Sequence, residues 1–226
     1  MAFVYTLGHW EQNSFVGLTE ADAFFADHID AALWAGYTNE VKQRALILAS
    51  RILNTVFLFA NGNPYFSSGP YAQALALPLD DHDAVSGTAT GGTAGTLICS
   101  SLANPEAYRN DIFNYGSIRI TEGANIYEHK PITDFDASTG TLTVGEDFSS
   151  AIDATSGFLI LYPLPRYKRE AVCEFALIVA RTGGKFDAAL NANALEPGGS
   201  TPSNVLPGRV LTILENHRKG TRKVVR

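Results

Sequence analysis

The hydrophobic pattern of this chain changes period twice, and those two changes limit the folds open to it. Between Asn13 and Phe59 apolar residues recur at helical steps. From Asp80 the pattern becomes that of strands and turns, and after Pro165 the helical step returns. A chain read this way has helical segments on both sides of a β segment. Insertion of that kind is tolerated where the two ends of the insert lie close together.

The first helical stretch reads as two helices. Thr19 suits an N-cap, because its hydroxyl can take an orphan amide of the first turn, and Glu20 and Asp22 place negative charge at the positive end of the helix dipole. Ala21, Phe24, Phe25, His28 and Ile29 follow at helical spacing, with Leu18 just before the cap. The second helix opens near Thr38, Asn39 and Glu40. Val41, Ala45, Leu48, Ala49, Ile52, Leu53 and Val56 form its apolar stripe, leaving Lys42, Arg44 and Arg51 on the expected solvent face. Two such stripes need a third element, and the chain offers it after Pro165. There Ala171, Val172, Phe175, Ala176 and Val179 share one helical face, and Gly183-Gly184 is a natural stop. The residues expected to form the core are Phe24, Phe25, Leu48, Ile52, Val56, Val172 and Phe175.

Met1 to Trp10 is short, apolar and unpatterned, an edge strand or an arm packed on a neighbour. Asn61-Gly62-Asn63-Pro64 is a strong breaker, after which Tyr65, Phe66, Pro70 and Tyr71 make an aromatic loop. Six strands are expected in the middle segment: Thr96 to Cys99, Ile112 to Ile120, Asn125 to Glu128, Ile132 to Phe135, Thr141 to Val144 and Phe158 to Tyr162. Turn residues stand at Glu122-Gly123, Ser138-Thr139-Gly140 and Ser156-Gly157. Short strands at this spacing suggest a small barrel or sandwich. The expected fold class is therefore α+β. It is a small helical bundle over 1–79 and 165–185, an inserted all-β barrel or sandwich module over 80–164, and a linker with an extended basic C-terminal arm over 186–226.

Charge follows the same division. Of the net −6, residues 80–165 carry 3 basic and 12 acidic side chains, while residues 166–226 carry 11 basic and 5 acidic. An acidic middle and a basic end suit different partners and not a general nucleic-acid binder. No apolar run approaches a membrane span, and Met1 to His9 has no Lys or Arg, so neither a membrane protein nor a leader peptide is expected. The two cysteines, Cys99 and Cys173, sit in apolar segments and read as buried small hydrophobes of a reducing cytoplasm.

The motifs that would announce chemistry are missing. Asp80, Asp81, His82 and Asp83 could offer oxygen ligands to a hard cation, but their spacing is not that of an EF-hand, and a plain acidic loop is the better reading. The five histidines, His9, His28, His82, His129 and His217, have no zinc-spaced partner. His28 reads as a satisfied, partly buried imidazole. Gly91-Gly92 and Gly183-Gly184-Lys185 do not match a phosphate loop, and no G-x-S-x-G elbow occurs. Tyr65, Phe66 and Tyr71 could stack bases, but with no basic residue between Arg51 and Arg109 they read as packing. No catalytic residue, cofactor or metal is expected.

Four segments carry a resemblance. Asn13-Ser14-Phe15-Val16-x-Leu18-x-Glu20-Ala21-Asp22-Ala23-Phe24-Phe25 resembles the opening of the small helical head–tail connector (adaptor) proteins of tailed bacteriophages. Ala45-Leu46-Ile47-x-Ala49-Ser50-Arg51-x-Leu53 resembles that family's second helix. Gln73-Ala74-Leu75-x-x-Pro78 and Val172-Cys173-Glu174-x-Ala176 resemble its later landmarks. The segments at Tyr115 to Asn125 and Thr139 to Val144 resemble, more loosely, small β modules of other phage virion proteins. The long insertion and the basic end depart from the plain family pattern.

The resemblance implies a virion structural protein and not an enzyme. It would form a homo-oligomeric ring, a dodecamer, joining the portal vertex to tail or stopper proteins in the neck of the particle, after assembly in the host cytoplasm. DNA would meet it only in transit. The basic end would be the portal-binding arm, with Val210, Leu211, Ile213 and Leu214 as apolar anchor and Arg218, Lys219, Arg222, Lys223 and Arg226 as charge. A single-stranded nucleic-acid-binding protein is the alternative, and a β-barrel hydrolase ranks third.

Overall fold

The computed structural model describes residues 2–56, 63–69, 71–79 and 81–183, without the side chains of Thr55 and Val56. The chain divides into two compact units. One holds Met1–Phe3, Asn13–Phe59 and Pro165–Arg226, and the other Val4–Gln12 and Ala60–Leu164. The described α-helices all belong to the first unit: α1 (Leu18–Ala26), α2 (Ala31–Ala35), α3 (Asn39–Val56) and α4 (Arg166–Arg181). The second unit holds β1 (Ala84–Thr88), β2 (Gly91–Gly92), β3 (Thr96–Ile98), β4 (Ser117–Ile120), β5 (His129–Asp136), β6 (Thr141–Val144) and β7 (Gly157–Leu161). Val4–Gln12 and the loop up to Leu79, read from sequence with the helices, sit in this second unit.

In the helical unit α4 packs chiefly on α3, and α1 touches both. Phe25, Ile52, Val172 and Phe175 are buried as expected, whereas Phe24 and Leu48 are only partly so, and the Val56 side chain lies outside the described residues. Two local expectations fail. Thr19 is exposed inside α1, whose cap is Gly17 with no side-chain hydrogen bond. The helix also stops at Ala26, so Ile29 stands 89 % exposed in the turn before α2. Along α3, Ala45, Ala49, Ile52 and Leu53 are buried and Arg44 and Arg51 exposed as expected, and the departures lie in its first turns. Val41 is exposed, while Lys42 and Leu46 are buried. Lys42 is drawn in because Asp22 accepts from its ammonium at 2.9 Å and the ammonium lies 5.4 Å from the Trp34 ring. A long aliphatic stem lets such a residue bury while its head stays paired.

The β unit overturns the expected fold class. Its strands form one open antiparallel sheet of order β1-β7-β4-β5-β6-β3-β2, so the protein is an α+β fold and not a helical bundle carrying a closed barrel or sandwich. Closure would require β1 and β2 to pair, but β1 pairs only with β7 and β2 only with β3. The small-residue composition of 84–92 hides both edge strands from a pattern reading. Gly87 is the clearest reason for that composition, since a Cβ there would meet Phe158 Cζ at 2.9 Å. Conversely, Asn125 to Glu128 is a turn, and 112–116 is broken by left-handed Asp111 and Tyr115.

One face of the sheet carries a core of Leu97, Phe113, Ile118, Ile120, Ile132, Phe135, Leu142, Phe158 and Ile160, among others. A bulge between Ile132 and Asp134 lets both Ile132 and Phe135 reach it despite their odd spacing. Ser117 and Arg119 alternate with Ile118 and Ile120, and so face the other way. That second face is met by Val4–Gln12, which is not a strand, and by the aromatic loop. Ser117 donates to the Leu7 carbonyl at 2.7 Å, and Gly8 lies against Phe66 and Leu161.

Candidate functional site

The outward alternation of β4 and the first residue of β5 bring Arg119 and His129 side by side, in register across the strand pair. Loop residues supply the rings around them. The Arg119 guanidinium carbon is 4.6 Å from the Phe66 centroid, 5.7 Å from Tyr127 and 5.8 Å from Tyr71. Tyr71 and Tyr127 stack at 4.9 Å, Trp10 tilts against Tyr71 at 4.9 Å, and His9 stacks on Trp10 at 3.8 Å. Such offset and cation–π contacts each add about 0.5–1.5 kcal/mol beyond area burial.

The buried end of this cluster is structural. The Ser117 hydroxyl donates to Leu7, so its oxygen accepts from His129 Nε2–H at 3.0 Å. Burial, with His9 and Arg119 nearby, holds the His129 imidazole well below its ordinary range, and burial also lowers His9. A serine whose proton is committed to a carbonyl, with no exposed surface, has no nucleophile to offer.

The open end differs. Arg119 is partly buried, its guanidinium is lowered from the ordinary value chiefly by burial, and it makes no hydrogen bond or ion pair among the described residues. Lys130, by contrast, lies within 4.0 Å of both Glu128 and Glu146. Tyr127 is 45 % exposed and left-handed at φ 72°.

The other sequence candidates distribute as follows. His82 Nε2 meets the Tyr162 carbonyl at 2.7 Å, and no group of His, Cys, Asp or Glu among the described residues could hold a metal ion. Asp80 lies outside the described residues. So do Val210, Leu211, Ile213, Leu214, Arg218, Lys219, Arg222, Lys223 and Arg226. Sequence reasoning noticed Tyr65, Phe66 and Tyr71 but missed Arg119, Trp10 and Tyr127. The available signal was a lone arginine on the polar side of an alternating strand.

In the helical unit, two of the four segments that carry the family resemblance are joined directly. Phe15 N–H donates to Ser50 Oγ at 2.9 Å, joining the first segment to the second. Glu20 of the first segment accepts from Arg169, and Glu174 of the segment on α4 lies 3.2 Å from His28 Nε2, Arg169 and His28 themselves standing outside the segments. The fourth segment organises the loop of the other unit, where Gln73 accepts from Phe66 N–H and donates to the Leu75 and Pro78 carbonyls. No family model, no curated protein and no solved structure matches this chain.

Proposed function

We propose that this chain is a structural virion protein, a head–tail adaptor that forms a ring between the portal vertex and the tail of a tailed phage. The observation that supports the reading is the meeting of Asn13-Ser14-Phe15-Val16, Ser50 and the Glu20–Arg169 and His28–Glu174 pairs in one helical unit. Phe15, Ser50, Glu20 and Glu174, which lie in the segments that carry the resemblance, each take part in a contact that ties this unit together. The reading includes a dodecameric ring, contacts with portal and with tail or stopper proteins, passage of DNA through the channel, a place in the neck of the particle and no enzymatic role. Native mass spectrometry of the purified chain tests it. A closed ring of about a dozen subunits is the expected species, since heterologous interfaces generate rings when the rotation closes. A monomer or dimer at every concentration, with or without a portal ring present, defeats the reading.

A further inference from the structure

The open end of the aromatic cluster carries an arginine prepared for an anion. Three rings surround the guanidinium, which is only partly buried and has no carboxylate partner among the described residues. The Trp10 indole N–H likewise makes no hydrogen bond to a described residue. A planar guanidinium held on its aromatic side presents parallel donors that fit a carboxylate two at a time. Tyr127 adds a second, independent sign. A bulky side chain in the left-handed region costs energy that glycine would avoid, and such strain gathers at binding sites. This one is also left 45 % exposed beside the arginine.

We propose that Arg119, Trp10, Tyr71 and Tyr127 receive an acidic side chain, flanked by an aromatic or apolar one, on a segment of a partner polypeptide. The unpaired guanidinium selects a carboxylate, and its isolation limits the occupant to one. The 12 acidic and 3 basic side chains of residues 80–165 oppose a ligand in proportion to its negative charge, which disfavours a polyanion far more than a single carboxylate, and a nucleic acid needs a basic stripe, which Arg119 alone does not make. A single carboxylate can be held at short range by a bidentate guanidinium, and the neighbouring rings supply apolar area. Tryptophan, tyrosine and arginine are also the residues that dominate binding at protein interfaces. The site stands independently of the adaptor reading.

The test uses the full chain and two blocked dipeptides, acetyl-Phe-Asp-amide and acetyl-Phe-Asn-amide. Binding is followed by Trp10 fluorescence, the other tryptophan, Trp34, being buried, and by the Arg119 Nε–H resonance. The Asp peptide should saturate both signals. The Asn peptide should bind at least about tenfold more weakly, the worth of a charge-assisted hydrogen-bond pair. Arg119→Gln should abolish the difference between the two peptides. Arg119→Lys should restore it only in part, and Tyr127→Gly should weaken binding without lowering the melting temperature. No saturation by the Asp peptide, equal binding of the two peptides, or undiminished discrimination in Arg119→Gln overturns the proposal. Saturation by sodium acetate at the same concentration would assign a free acid, and tighter binding of oligothymidylate a nucleic acid. Either of these results overturns it too. If Arg119→Gln fails to fold, the comparison of the two peptides on the unaltered chain still decides.

Discussion

In the helical unit the groups withdrawn from water include two carboxylates, Glu20 and Glu174, each met from another part of the unit by Arg169 or His28, and one ammonium, Lys42, met by Asp22. In the strand-bearing unit they are bases: His129 fully, His9 and Arg119 partly. Burial pushes the Glu20 carboxyl up to about 7 against the pull of Arg169, and pushes the His129 imidazole down. The same desolvation therefore acts with opposite sign in the two units, because it always disfavours the charged form. The helical unit joins its parts through charged or hydrogen-bonded pairs, Glu20–Arg169, Asp22–Lys42 and His28–Glu174. The β unit instead joins a loop and an N-terminal segment to its sheet through rings and neutral hydrogen bonds.

The largest expected effect comes from breaking the helical side of this contrast. Arg169→Met leaves Glu20 buried without its cation and should cost about 3–5 kcal/mol in urea unfolding. Adding Glu20→Met should recover most of that loss, since a matched apolar pair removes both desolvation costs. A double variant no more stable than the single one would show that the pair is not the link between α1 and α4.

The second expectation concerns pH, with the signs worked out separately. Glu20 has a folded value of about 7 against an ordinary 4.5, so its contribution is fully present below pH 4.5 and is lost as pH rises toward 7. The span corresponds to about 3 kcal/mol. His129 and His9 lie below their ordinary 6.5, so the β unit is most stable above pH 6.5 and loses stability as pH falls below it. Amide hydrogen exchange read by unit should show opposite slopes between pH 4.5 and 6.5. Glu20→Gln should flatten the first and His129→Gln most of the second. Parallel slopes in the two units would remove the contrast.

The smallest effect sharpens the comparison from outside both cores. Ile29, apolar yet 89 % exposed, makes little packing to lose. Ile29→Ser should change the melting free energy by no more than about 0.5 kcal/mol, the range of ordinary surface substitutions. A larger loss would mean that the turn between α1 and α2 depends on that side chain.

Much of the secondary structure was open to a reading of the sequence. The stretch 39–56 was legible as a helix, 166–181 likewise, and 141–144 as a strand, because helix and strand periods are written in residues within a few positions of one another. What was not legible depended on residues far away in the chain. Nothing near Lys42 says that Asp22 and Trp34 will draw it inward while Val41 stays exposed. Nothing near Ala84 to Thr88 marks a strand, since Gly87 is there to make room for Phe158.

The closure of the sheet lay out of reach for the same reason. Six apparent strands suit a barrel, but whether the two edges meet depends on pairing, and pairing is a tertiary decision. The candidate site is the extreme case. Its residues come from positions 10, 66, 71, 119 and 127, four separate stretches with no common motif. The sequence by itself determined the period of each segment, the acidic middle and the basic end. Only the tertiary structure decided which face of each element is buried and that Arg119 is ringed by aromatic side chains with no carboxylate among the described residues. Burial and charge pairing are set by neighbours in space, and local propensity carries no information about them.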